Sequence, residues 1–259
     1  MNAFEEWRSY RERSVAGFQG DLSLAAMHVI ADMTAVAGLP GLWAPAPQGG
    51  LILTASELDG ISVDDVPAEG TVHLRPDVSV VRFSGSLAAQ ATSQPGSDHL
   101  LAVWDSEAEA LQDYEGIDAY PHRSDWIVEA RFDEDEPGRE VSFEHTSDGA
   151  GTSRRHRSPG DILFEREGTE YRLRPFASGD SLILVFGDKT NGEETYGRGR
   201  MLIVPEADAR GKTALDFNRA FLPPCAFSPH FNCPLPPAGN RLPFAVPAGE
   251  KQIRRQAHS

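Results

Sequence analysis

Residues 181–205 read SLILVFGDKTNGEETYGRGRMLIVP, with one apolar run ahead of the dipeptide Asn191-Gly192 and another after Arg200. Asn-Gly between two short apolar runs is a strong reverse-turn signal, so the stretch predicts two strands over 181–188 and 200–205 joined by a polar connection. Working outward, runs of the same kind recur. Upstream they are LILT (51–54), TVHL (71–74), VSVVRF (78–83), LLAVW (100–104), WIVEARF (126–132), REVSFEH (139–145), DILFER (161–166) and EYRLRPF (170–176). Downstream TALDF (213–217) brings the total to eleven. So many short strands with few helices between them argue against a βαβ arrangement. They predict a mainly β fold, an antiparallel barrel or sandwich with N-terminal helices.

The helices come from the first forty residues. Asn2 and Glu5 have the spacing of a capping box, and Phe4, Trp7 and Tyr10 recur at helical spacing, so a helix is expected over 3–13. Ser23 stands before the apolar run LAAMHVIADMTAV and predicts a second helix to about Val36, closed by Gly38 and Pro40. Residues 84–97, SGSLAAQATSQPGS, read as a polar loop or connector. The basic run Arg154-Arg155-His156-Arg157 reads as a solvated hairpin tip, with an anion-binding lid as the alternative. The chain then divides into a helical appendage over 1–40 and a single β domain over 41–259 that ends in a proline-rich wrap.

Composition limits the partners. The formal charge is -15, from 39 acidic and 24 basic residues, so the long-range field repels nucleic acid and anionic membranes. No run reaches the roughly 18 apolar residues of a membrane span. The opening MNAFEEWRSYRERS is charged instead of apolar, which leads to the expectation of a cytoplasmic protein. Cys225 and Cys233 are the only cysteines. They read as buried small side chains, as a bridge or redox pair, or as metal ligands.

Chemistry is expected where regular structure is poorest. Residues 215–241, LDFNRAFLPPCAFSPHFNCPLPPAGNR, hold both cysteines and six prolines. The prolines fix their own φ and restrict the residue before each, so the segment wraps the β domain along a preset path and presents its polar groups at low entropy cost. Cys225, His230 and Cys233 have a C-x4-H-x2-C spacing that matches no recurring zinc pattern, so no metal is assigned. Gly197-Arg198-Gly199-Arg200 is neither a phosphate loop nor a dinucleotide fingerprint. It reads as a strand with one polar face or as an arginine clamp for an anion.

The C-terminal half resembles the bacterial and archaeal DUF1684 family. The resemblance rests on GDKTNGEETYGRGRMLIVP, then LDFNRAFLPPCAFSPHFNCPLPPAGNRLP, then AGEK, in order between Gly187 and Lys251, and extends more weakly back to WIVEARF. Phe221 stands where such proteins carry tyrosine, and Gly239 where a glutamate precedes the asparagine matched here by Asn240. The resemblance brings no reaction, ligand or cofactor with it.

The motif supports three readings. In the first, a small anionic molecule binds a pocket bounded by the GRGR strand, the 216–219 segment and the wrap, with Tyr196, Arg198, Arg200, Asn218, Arg219, Asn240 and Arg241 as the ligand-binding residues. In the second, a hydrolase uses Cys225 or Asp216 with His230 as base. In the third, the motif is structural and clamps the fold or a homodimer interface.

Overall fold

Short strands with apolar alternation cannot cover their own buried faces, so they assemble into sheets that share cores. The computed structural model describes residues 2–94, 96–136, 138–149 and 151–256, and His258 lies outside them. The chain divides into two compact units, one of Arg8–Tyr114 and one of Met1–Trp7 with Glu115–Ser259. The fold is mainly β, and all eleven expected strands are present within three residues of their predicted ends, EYRLRPF splitting at Pro175 into Thr169–Leu173 and Phe176–Ser178.

Among the described residues no sheet closes into a barrel, which corrects one of the two expected architectures. In the Arg8–Tyr114 unit a six-stranded antiparallel sheet runs in the order Leu24–Val29, Ser97–Asp105, Leu87–Gln94, Val80–Arg82, Ser62–Val63, Val66–Pro67. A three-stranded antiparallel sheet of Leu42–Pro45, Leu51–Ala55 and Gly70–Leu74 joins it around one core, where Trp43, Leu51, Leu53, Leu74, Val81 and Leu101 are buried together. In the other unit, Thr169–Leu173, Gly160–Arg166, Ile127–Glu134 and Lys212–Asp216 form a four-stranded sheet, and Phe176–Ser178, Ser181–Phe186 and Arg200–Val204 a three-stranded one. Their common core takes in Phe217, Ala220, Leu242, Val246 and Ala248 from the wrap.

Only the first of the two expected helices forms. It spans Ala3–Val15, and its capping box is in place: Glu5 N donates to Asn2 Oδ1 at 2.9 Å while Asn2 N donates to Glu5 Oε2 at 3.0 Å. Leu24–Val29 is a strand instead, paired antiparallel with the edge of Ser97–Asp105. Ser23 caps no helix there; its hydroxyl bonds back to the Gly20 carbonyl at 2.9 Å. A long partner strand with an open edge outweighs a weak helical preference.

The same override acts on residues 84–97, where the expected loop contains the strand Leu87–Gln94 between two partners. Its Ala88, Ala89 and Ala91 are buried, and Ala89 and Ala91 share the core with Trp43, Leu51 and Leu53 of the three-stranded sheet. The basic run is not a hairpin tip either. Ser153–Arg157 pairs with Glu140–Glu144, which turns His156 inward opposite Val141 and sets Arg155 against Glu140 at 3.4 Å. Among the described residues no helix is long and apolar enough to cross a membrane.

Candidate functional site

After the strand Ser181–Phe186 the chain turns at Asp188, whose side chain is fully buried. One carboxylate oxygen accepts from Thr190 N at 2.8 Å, Thr190 Oγ1 at 2.6 Å and Val246 N at 3.1 Å; the other accepts from Arg200 at 2.8 Å. Arg200 is also fully buried and donates further to the carbonyls of Val246, Ala248 and Glu250. Four of its five N–H groups are used inside the protein and Nε has no partner, so it offers no exposed donor. Residues 197–199 are turn and not strand, the strand beginning only at Arg200. Gly199 has φ of +93°, and a Cβ there would lie 2.6 Å from the Phe186 carbonyl, so glycine is required by both conformation and space.

Asn218 and Asn240 perform one task at two places. The side-chain oxygen of Asn218 accepts from Arg123 N at 2.8 Å, and its amide nitrogen donates to Arg123 O and Asp216 Oδ1, both at 2.9 Å. Asn240 does likewise with Arg174, at 2.8 Å in each direction, and donates also to Val185 O at 2.8 Å. A side-chain amide thus pairs with both backbone groups of one residue, as a neighbouring strand would, where no strand is present. Both asparagines are 1% exposed. Glu250, which the sequence reading did not single out, is buried and accepts from Leu222 N at 2.7 Å.

The remaining expected residues fall into separate places. Asp216 caps the short turn Phe217–Arg219 through Asn218 N and approaches Arg219 Nε at 3.4 Å. These two line a cleft of about 330 Å³ with Trp7, Leu202, Ile203 and Phe221, closed by Pro205 and Ala214. Apart from Asp216, Arg219 has no polar partner among the described residues, and its Nε is buried without a hydrogen bond. Arg241 is exposed, lies against Gly187, and lines a separate depression of about 430 Å³ with Pro236 and Pro237.

Tyr196, Arg198 and Cys225 come together. The Tyr196 hydroxyl donates to the Cys225 carbonyl at 3.2 Å and lies 3.8 Å from its sulfur. Arg198 is exposed, with no hydrogen bond or ion pair among the described residues. A hydrogen bond from the Cys233 thiol, assisted by the Tyr196 hydroxyl and the Arg198 charge and opposed by burial, pulls the Cys225 thiol down to about 7. Burial, then the neighbouring Cys225, pushes the Tyr196 phenol up. His230 is exposed, and its ring makes no hydrogen bond to Cys225 or Asp216 among the described residues. None of the described His, Cys, Asp and Glu side chains form a group of three or more able to hold a metal ion.

Among residues outside the C-terminal motif, His145 and His156 stack with ring centroids 5.1 Å apart and Nε2 atoms 3.2 Å apart. His145 Nδ1 bonds the Phe143 carbonyl at 3.1 Å, so in the neutral pair its Nε2 accepts and His156 Nε2 donates. His156 lies in the strand Ser153–Arg157 and His145 just past Glu140–Glu144, where it bridges to Pro234, and no spacing of single histidines reveals their meeting.

Residues 112–251 match the family model of DUF1684, described as a protein of unknown function. The chain belongs to the DUF1684 family. One solved structure that is similar to it, a solution NMR structure of an uncharacterized protein of Haloarcula marismortui, is 33% identical. The match covers 55% of this chain and 77% of that one, with a TM-score of 0.43. No curated protein matches the chain. The DUF1684 region contains all ten expected site residues, from Tyr196 to Arg241, together with the cleft lining apart from Trp7.

Proposed function

We propose that this DUF1684 protein binds a small amphipathic anion, a carboxylate with a short apolar body, in the cleft between the strand Arg200–Val204 and the 216–221 segment. The observation that carries this reading is the pairing of opposite chemistries in one recess. Arg219 supplies terminal guanidinium donors with no acceptor among the described residues, and Trp7, Leu202, Ile203 and Phe221 supply apolar surface. A guanidinium takes a carboxylate in bidentate geometry. Asp216, held by Asn218, keeps Arg219 oriented without using those donors. In a chain of charge -15 the long-range field opposes anions, so recognition must come from this local contact and from apolar burial.

Thermal stabilisation across straight-chain carboxylates of increasing length, each matched with the alcohol of equal length, tests the reading. Affinity for the acids should rise by about 0.8 kcal/mol per added methylene until the cleft is filled. The alcohols should bind more weakly, and Arg219→Met should bring the acids down to their level. Equal responses to acid and alcohol, or acid binding that survives Arg219→Met, would sink it.

A further inference from the structure

Cys225 and Cys233 lie outside the cleft lining, and their arrangement is independent of its ligand. Cys225 belongs to the short turn Pro224–Ala226 and is half-buried; Cys233 is 6% exposed. The Cys225 backbone N donates to Cys233 Sγ at 3.2 Å, which sets the second sulfur against the first residue. Cys233 is fixed from outside the wrap: its N donates to Thr146 Oγ1 at 3.1 Å, and its carbonyl accepts from Thr146 N at 3.0 Å. Neither cysteine is in a disulfide. Cys225 is thus the more exposed of the two, with the Cys233 sulfur held against its backbone.

We propose that Cys225 and Cys233 are a redox pair in which a hydroperoxide oxidises the dithiol to an intramolecular disulfide, Cys225 attacking first and Cys233 resolving. In the first step the Cys225 thiolate attacks one peroxide oxygen and the O–O bond breaks. The other oxygen leaves with its electron pair and takes a proton to become water or an alcohol, and Cys225 becomes a sulfenic acid. In the second step Cys233 loses its proton and attacks the Cys225 sulfur. The S–O bond breaks, the hydroxide leaves and is protonated to water, and the S–S bond forms. Two thiols and one hydroperoxide thus give one disulfide, one alcohol or water, and one further water. A dithiol reductant restores the thiols by exchange.

The roles come from the surroundings. Cys225 has the exposure, the hydrogen bonds from the Cys233 thiol and the Tyr196 hydroxyl, and the nearby Arg198 charge that favour a thiolate at neutral pH. Cys233 is inaccessible until Cys225 has been oxidised beside it.

The test uses the full chain, treated at neutral pH with one equivalent of hydrogen peroxide, and reads intact mass, thiol count and peptide maps without reduction. The expected product has lost two hydrogens and both free thiols and yields one peptide cross-linked between Cys225 and Cys233. Cys233→Ser should stop at a sulfenic acid on Cys225 that dimedone traps, and Cys225→Ser should leave Cys233 unoxidised. Alkylation of Cys225 in the untreated wild type should rise with pH to half its plateau rate near 7. Two thiols that persist in excess peroxide would overturn the proposal. So would oxidation of Cys225 to the sulfinic acid without a cross-link, or oxidation of Cys233 in Cys225→Ser at the wild-type rate. The wild-type peptide map decides the matter even if neither variant folds.

Discussion

The Arg8–Tyr114 unit and the segment from Gly187 to Glu250 both have to pair their buried backbone groups, and they do so by different means. In the first, strand ladders pair the backbone and the core is apolar. The buried polar side chains among its described residues are two serines, Ser23 and Ser79. In the second, the proline-rich chain makes few ladders, and side chains replace them: Asp188 with Arg200, Asn218 with Arg123, Asn240 with Arg174, Glu250 with Leu222. Ladder pairing is distributed over many weak and similar contacts, so one loss is absorbed. Pairing by buried side chains concentrates the same task in a few groups whose removal strands a charge or several hydrogen-bonding partners at once.

Arg200→Met should break the contrast most severely. It leaves the Asp188 carboxylate buried without its counter-charge, a loss of about 3–5 kcal/mol read from urea unfolding. Adding Asp188→Asn should recover part of it, and a double variant no better than Arg200→Met would mean that the ion pair does not tie the segment down. In the ladder-built unit, Leu53→Ala removes a fully buried side chain and should cost about 3 kcal/mol by the same measurement. Amide hydrogen exchange should then quicken within Arg8–Tyr114, whereas Arg200→Met should quicken it over 187–250. Identical exchange patterns for the two variants would erase the distinction.

Acid should act on the Glu115–Ser259 unit through the stacked imidazoles. Burial, then the neighbouring His145 and Arg154, pushes His156 down to about 4 from an ordinary 6.5, and burial also lowers His145. The pair is neutral when folded and packs against Phe143 and Phe176, with Arg154 and Asp148 as the nearby charges. Because the folded value lies below the unfolded one, the unfolded chain binds protons first. Stability is held above pH 6.5 and lost as pH falls from 6.5 toward 4, by roughly 2–3 kcal/mol. Urea midpoints that stay level from pH 7 to pH 4.5 would contradict the buried pair.

The smallest effect is expected at Phe221. Phe221 lines the cleft and is only half-buried, so Phe221→Tyr should alter stability by less than about 1 kcal/mol while changing carboxylate affinity measurably. A large loss of stability there would move Phe221 from the cleft lining to the set of ties.

Of the polar residues in the C-terminal motif, the sequence singled out Asn218, Asn240 and Arg200, which hydrogen-bond inside the fold, but it did not single out their fellow ties Asp188 and Glu250. Asn218 and Asn240 looked like ligand contacts because both sit in a polar, proline-bounded segment. Which backbone groups need a side-chain partner depends on where the chain passes other strands, and Arg123 and Arg174 lie 95 and 66 residues away. Cys225 with Tyr196, and Asp216 with Arg219, were within reach of the reading as members of one motif. His145 with His156 was not, because a histidine carries no periodicity of its own.

By itself the sequence determined the mainly β class, the eleven strands marked by apolar alternation, the capped first helix and the family, since these depend on contacts between near neighbours and on motif order. Only the tertiary structure decided that residues 24–29 and 87–94 are strands, that no sheet of the described residues closes on itself, and which polar groups serve the fold and which reach the cleft. Those outcomes turn on distant partners: an open strand edge or an unpaired carbonyl brought near by folding outweighs a local preference worth only tenths of a kcal/mol per residue.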